Sequence, residues 1–268
     1  LAGEFARLGH VLPGQDDAAR LPRLARQDPS SPADDARLVL TVARTAALDH
    51  GATLVNRAAL TGITKDHNGQ VTGATVEADG QSIAVTAHTI VNATGVWSDD
   101  IRALDEGIHP DSIRPAKGVH ITVPWDLVRN DIAAVIPVPK DKRSVFVGAW
   151  DGSTYIGTTD TDYEGDVDQP FCTREDVEYL LRAINGAIEG TITPADITGT
   201  WAGLRPLVKS AHSARTADLS RMHKVTARQS GVITINGGKL TTYREMAADT
   251  VDEVVEHLGA RAPKGVAR

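Results

Sequence analysis

The feature that most constrains this chain is the run Ile235-Asn236-Gly237-Gly238-Lys239-Leu240-Thr241-Thr242-Tyr243-Arg244. Residues 232–235 form an apolar strand that runs into two adjacent glycines. A helix follows at once, with Met246, Ala247, Val251, Val254, Val255 and Leu258 on its apolar stripe. Paired glycines permit positive φ and let a ligand approach the backbone closely. The start of the helix aims unpaired N–H groups and a partial positive charge at the same spot. Such a spot suits an anion, or a group that becomes anionic during a reaction, and Lys239 adds a full charge there. The same residues also read as an ordinary Gly-rich turn beside a solvated lysine.

The order of elements upstream fits a layered α/β chain. After the break at Asp28-Pro29-Ser30-Ser31-Pro32, carboxylates Asp34 and Asp35 open a helix whose apolar line is Leu38, Val42 and Ala46, and His50-Gly51 ends it. A strand at Thr53-Leu54-Val55 is expected next, then strands at 59–64, 70–78 and 82–87 joined by hairpin turns at 66–69 and 78–81. Thr89-Ile90-Val91-Asn92-Ala93-Thr94-Gly95 reads as a buried strand ending at a Gly turn. From about residue 113 the pattern becomes that of an antiparallel sheet, with alternation at 119–123 and further strands near 132–138, 143–150 and 154–158. A helix over 174–188 crosses it, with Thr173 as N-cap and Asp176 three residues on. Strands near 196–203, 223–228 and 231–236 return the chain to the glycine pair.

Composition excludes several function classes. The 268 residues carry a net charge of -7 and no basic block, which argues against a nucleic-acid partner. One cysteine, Cys172, excludes an internal disulfide and a thiolate metal cluster, and a reducing cytoplasm fits. No apolar run approaches the roughly 20 residues of a membrane span.

Six segments occur in order: Asp34-Asp35-Ala36-Arg37-Leu38, Asn92-Ala93-Thr94-Gly95-Val96-Trp97, Lys117-Gly118-Val119-His120-Ile121, Ile156-Gly157-Thr158-Thr159-Asp160, Trp201-Ala202-Gly203-Leu204-Arg205-Pro206-Leu207 and Gly237-Gly238-Lys239-Leu240-Thr241-Thr242-Tyr243-Arg244. Together they resemble the FAD-dependent glycerol-3-phosphate dehydrogenases of the D-amino-acid-oxidase-like superfamily, over roughly residues 32–258. The resemblance implies a mixed α/β fold: an incomplete Rossmann-like FAD domain with an inserted β-meander (31–112 and 229–262), an antiparallel substrate domain (113–228) and an irregular N-terminal segment (1–30). It implies oxidation of sn-glycerol 3-phosphate to dihydroxyacetone phosphate, with quinone as the usual electron acceptor and oxygen as the alternative. A cytoplasmic protein follows, able to contact the inner face of the cell membrane without a span and to oligomerise.

The resemblance also assigns roles. Val55, Thr94, Gly95, Gly238, Leu240, Thr241 and Thr242 would hold FAD, with the helix start near the flavin atoms that become negative on reduction. Arg205, and more loosely Arg221 with Arg215 as its local competitor, would bind the phosphate through planar, always-charged guanidinium groups. Lys239 would polarise the developing oxyanion or help position the substrate, and His120, facing opposite to Val119 and Ile121 on an alternating strand, is a candidate for lining the site and taking the hydroxyl proton, beside its ordinary reading as a structural strand histidine. Asp160 reads as a turn-fixing carboxylate. Each residue also has an ordinary structural reading as core, turn or surface.

The departures matter too. Family members begin with a strand and Gly-x-Gly-x-x-Gly, which puts the pyrophosphate at a helix N-terminus. Gly3, Gly9 and Gly14 do not make that spacing. The N-terminal His and Arg that follow the motif in the family, and its C-terminal helical domain, have no counterpart in these residues. The sequence therefore reads as the central part of a longer enzyme or as a truncated gene product, expected by itself to bind FAD poorly, to turn over little or no substrate and to leave neighbouring strands as exposed edges. Two alternatives stand beside this reading: a related oxidase of an amine or 2-hydroxy acid, and a non-catalytic fragment.

Overall fold

The computed structural model describes residues 25–26, 34–209 and 222–262. These described residues fall into two compact units, one made of those up to residue 35 with 116–204, the other of 36–115 with those from residue 205 onward.

The first unit is built on an antiparallel sheet. Its strands are β1 (Ala25–Arg26), β6 (Ile113–Pro124), β7 (Ala134–Pro137), β8 (Ser144–Trp150), β9 (Ser153–Gly157), β10 (Thr161–Asp162) and β11 (Gly199–Val208). The order is β1-β7-β8-β9-β6-β10, with β11 also paired to β6. The division between units falls within β6 and β11. Alternation fixes the two faces. Val119, Ile121 and Val123 of β6, Val145 and Val147 of β8 and Ile156 of β9 form one core with Leu180, Leu181 and Ile184 of helix α3 (Arg174–Asn185). Burying each such side chain is worth about 1.5–3 kcal/mol. The register pairs His120 with Gly157, Thr122 with Tyr155 and Gly148 with Tyr155, so these residues share the opposite face. Helix α3 starts as expected: Thr173 and Asp176 form a reciprocal capping box.

In the second unit, helix α1 (Asp35–His50) precedes a meander of β2 (Ala58–Lys65), β3 (Val71–Ala78) and β4 (Gln81–Thr86). A three-stranded sheet has the order β12 (Lys224–Ala227), β13 (Val232–Asn236), β5 (Ile90–Asn92), with β5 parallel to β13. Helices α2 (Ser98–Glu106) and α4 (Tyr243–Leu258) follow β5 and β13. Thus β12 pairs inside the same small sheet as β13, although the sequence pattern groups residues 113–228 together. The link is local: the turn at 228–231 folds β12 back on β13.

Three expectations need correction. Residues 53–55 form no strand, and Leu54 and Val55 are 56% and 65% exposed. Their apolar character suits a sheet, but a strand needs a ladder partner, and no described strand runs beside them. Helix α1 buries no residue, and its Val39, Leu40, Val42 and Leu48 are exposed. Helix α2 was not expected from the pattern. It is short, and its buried Asp99 faces inward to accept hydrogen bonds from Ser112 and from the Ile113 amide. The helical patterns around residues 5–8 and 21–24 lie outside the described residues.

Candidate functional site

Strand β13 is buried through Val232, Ile233, Thr234 and Ile235 and delivers the chain to Gly237 and Gly238 at φ of 75° and 77°. Only glycine adopts that pair of conformations without strain. Space demands glycine at 237 as well, where a Cβ would lie 2.6 Å from the Met222 carbonyl oxygen, whereas at 238 a Cβ would meet the movable end of Met246, its sulfur at 2.5 Å. Lys239 is extended and exposed, and Leu240–Thr242 form a 3-10 turn before α4 begins at Tyr243. The helix therefore opens one turn later than its sequence pattern suggests. Thr242 returns its N–H and hydroxyl to the Lys239 carbonyl, at 3.0 and 3.1 Å. The amides at the head of this turn keep the donor character of a helix start, next to an exposed ammonium. That donor set fits a group that gains negative charge, as a flavin does on reduction. Leu240 is half-buried, while Thr241 and Thr242 are exposed.

The end of β5 is held by Asn92, which is buried. Its amide nitrogen donates to the Ser98 carbonyl at 2.9 Å and reaches Thr234 Oγ1 at 3.3 Å, while its Oδ1 accepts from Thr94 Oγ1 at 2.7 Å. One side chain thus ties the strand end to α2, to β13 and to Thr94. Gly95 takes φ of 64°, and a Cβ there would stand 3.8 Å from Pro206 Cγ. Two of the quoted segments, Thr94-Gly95 and Arg205-Pro206, therefore meet within the second unit. Arg205 is half-buried, and Leu207 beside it is buried.

His120 belongs to the first unit. It is only 6% exposed and stacks on Trp201, with ring centroids 4.9 Å apart and planes 8° from parallel. Tyr155 meets it edge-on at 6.1 Å. Burial pushes the Tyr155 hydroxyl up to about 12, with the Asp35 carboxylate adding to the shift. Asp160 accepts a hydrogen bond from Arg143 through its backbone carbonyl. Val55 stands exposed outside any strand, and Arg221 and Arg215 lie outside the described residues.

A hollow of about 390 Å³ is lined by His223, Val225, Asp249, Asp252, Glu253 and Glu256, and neither Lys239 nor Arg205 lines it. Four carboxylates repel a phosphate dianion, so this hollow is not a phosphate site. At its edge His223 pairs with Asp249 at 2.7 Å and joins the start of β12 to α4. Sequence reasoning missed Asn92, Trp201, Tyr155 and His223. Asn92 and Trp201 sit inside quoted segments, but their partners lie far away in sequence.

A parallel β5–β13 pair that runs through paired glycines into a helix is an arrangement found in flavoproteins. The chain belongs to the FAD dependent oxidoreductase family (DAO), which it matches over residues 10–244. Among particular relatives, it is 38% identical over 234 residues to glycerol-3-phosphate dehydrogenase 2 of Mycobacterium tuberculosis, covering 87% of this chain and 39% of the relative. It is 37% identical over 228 residues to the aerobic glycerol-3-phosphate dehydrogenase of Staphylococcus aureus, covering 84% and 41%. The glycerol-3-phosphate dehydrogenase of Bacillus halodurans, solved with FAD, superposes with a TM-score of 0.74 at 34% identity over 86% of this chain and 44% of that one. Glycine oxidase from Bacillus cereus shares the fold, with a TM-score of 0.55 at 19% identity, 85% of this chain and 57% of that one. The chain spans about two-fifths of the length of the curated relatives it matches.

Proposed function

We propose that this chain carries the core of an FAD-dependent oxidation of sn-glycerol 3-phosphate. The observation that carries the reading is the glycine pair with Lys239 at the head of α4, in a chain 34% identical to an FAD-bound glycerol-3-phosphate dehydrogenase. FAD, when bound, supplies the acceptor for the hydride leaving C2 of the substrate, and dihydroxyacetone phosphate is the product. Gly238, Leu240, Thr241 and Thr242 hold the isoalloxazine, Thr94 and Gly95 let backbone come close to the cofactor, and Val55 borders the adenine. Arg205, with Arg221, pairs with the phosphate. Lys239 stabilises the oxygen as its C–O bond gains double-bond character, and His120 takes the hydroxyl proton. A quinone is the final electron acceptor, reached at a membrane surface. Among the described residues no helix is long and apolar enough to cross a membrane.

The test is anaerobic addition of sn-glycerol 3-phosphate to the protein with FAD in excess. Bleaching of the flavin band, with dihydroxyacetone phosphate formed in equal amount, is the expected result. Bleaching by glycine or a 2-hydroxy acid instead would assign the chain to a different substrate class.

A further inference from the structure

The His120 ring is held from two sides by residues that have no place in the proposed chemistry. On one side lies Trp201, stacked at 4.9 Å and 8°. On the other lies Gly157, its cross-strand partner, where an added Cβ would overlap the ring at Cδ2 and stand 2.5 Å from Cγ and 2.7 Å from Nε2. Such nearly even distances to three bonded atoms describe an approach to the face of the ring, not to its edge. Gly157 thus acts as the floor that admits the imidazole, and Trp201 as its lid. Tyr155, edge-on, closes a third side. A ring clamped on both faces can exchange a proton only in its own plane, at its nitrogens.

We propose that Trp201 is a positioning residue for His120: with Gly157 it fixes the imidazole plane, and its indole face stabilises the ring once it carries a proton. The proposal rests on the reading of His120 as the group that takes the hydroxyl proton. The step balances simply: the substrate O–H bond breaks, an imidazole nitrogen gains that proton, and the electron pair of the C2–H bond leaves as hydride to the flavin. Trp201 makes and breaks no bond. Holding the ring in plane matters because misplacing a reacting group by about 1 Å can cost on the order of 100-fold in rate.

The test pairs a spectroscopic readout with kinetics. In the chain as it stands, the carbon-bound ring protons of His120, assigned by their loss in His120→Gln, should resonate upfield because of the indole ring current. Trp201→Ala should return them toward free-histidine positions, and Trp201→Phe should keep part of the shift. With FAD in excess, Trp201→Ala should lower kcat by roughly 10- to 100-fold with little change in KM, and Trp201→Phe should recover most of it. Unshifted protons in the parent chain would overturn the clamp. Unchanged kcat in Trp201→Ala, with His120→Gln inactive, would overturn the positioning role while sparing the reading of His120. Full turnover in His120→Gln, even with the upfield shifts present in the parent chain, would overturn that reading and this proposal with it.

Discussion

Lys117 Nζ lies 2.5 Å from a carboxylate oxygen of Asp176, and both residues are buried. The ammonium also donates to the Phe171 carbonyl, and Asp176 accepts from the Thr173 amide and hydroxyl while capping α3. The pair thus joins β6 to the head of the helix that covers the core. Breaking a buried pair leaves the survivor's charge without compensation. Lys117→Met and Asp176→Asn should each lower unfolding free energy by about 3–5 kcal/mol, read as a lower urea midpoint. A loss below about 1 kcal/mol would mean that the pair is solvated in solution.

Asp141 supplies an acid-sensitive contact. Arg143 grips its carboxylate with Nε at 3.1 Å and Nη2 at 2.6 Å, and this hydrogen bonding holds its pKa down at about 2 against burial. The folded value lies below the unfolded one, near 3.9, so the stabilisation is present above that pH and is lost as pH falls through about 2. Arg143 is 38% exposed, so solvent screening keeps the effect to about 1 kcal/mol or less. Denaturation of the parent and Arg143→Gln should differ at pH 6 and converge near pH 2. A gap that persists there would measure the contacts of Arg143 that do not titrate with Asp141, its hydrogen bond to the Asp160 carbonyl and its guanidinium 4.9 Å over the Tyr179 ring.

Much of the scaffold was legible because its signals are local. Alternation along 119–123 gives the core face of β6, the hairpin turns give the meander, and Thr173 with Asp176 gives the start of α3. What stayed hidden depends on partners distant in sequence. Residues 53–55 have strand character but no ladder, and a one-dimensional pattern does not report whether a neighbour is present. The stack of His120 on Trp201 spans 81 positions, and Asn92 reaches Thr234 across 142. Paired glycines marked the turn at 237–238, but not that Met222 and Met246 crowd it.

The exposed apolar residues of α1 and β5 set a third expectation. Leu40 and Leu48 are 60% and 73% exposed, and Val91 of β5, which ends its sheet among the described residues, is 44% exposed. Exposed apolar surface of this kind promotes self-association. The isolated chain should bind an apolar dye and sediment heavier as concentration rises. Leu40→Glu with Leu48→Lys should reduce both effects while changing stability by no more than about 0.5 kcal/mol. A loss of several kcal/mol would show instead that this face is buried in solution.

Asn92→Ala tests whether the end of β5 is prepared for a cofactor. The change strands the Ser98 carbonyl and the Thr94 hydroxyl, at a cost of about 1–3 kcal/mol. If Thr94 and Gly95 border FAD, flavin affinity should fall as well, and flavin fluorescence titration reads it separately from unfolding. An unaltered affinity in a destabilised variant would leave Asn92 a purely structural staple.

Arg205 and Lys239 should fail in different ways, because one is proposed to bind an existing charge and the other a developing one. A guanidinium on the substrate phosphate holds ground state and transition state alike. Arg205→Ala should therefore raise KM by roughly 10- to 100-fold with a smaller change in kcat, and should erase the preference for the phosphorylated substrate over glycerol. An ammonium beside the reacting oxygen works mainly as charge builds there. Lys239→Met should therefore lower kcat by roughly 100- to 1000-fold with KM nearly constant. Arg205→Lys should recover little, because a point charge does not reproduce the bidentate fork. Rates that retain their dependence on phosphate in Arg205→Ala would remove Arg205 from the binding site. A Lys239→Met variant that loses affinity alone would recast Lys239 as a second phosphate ligand.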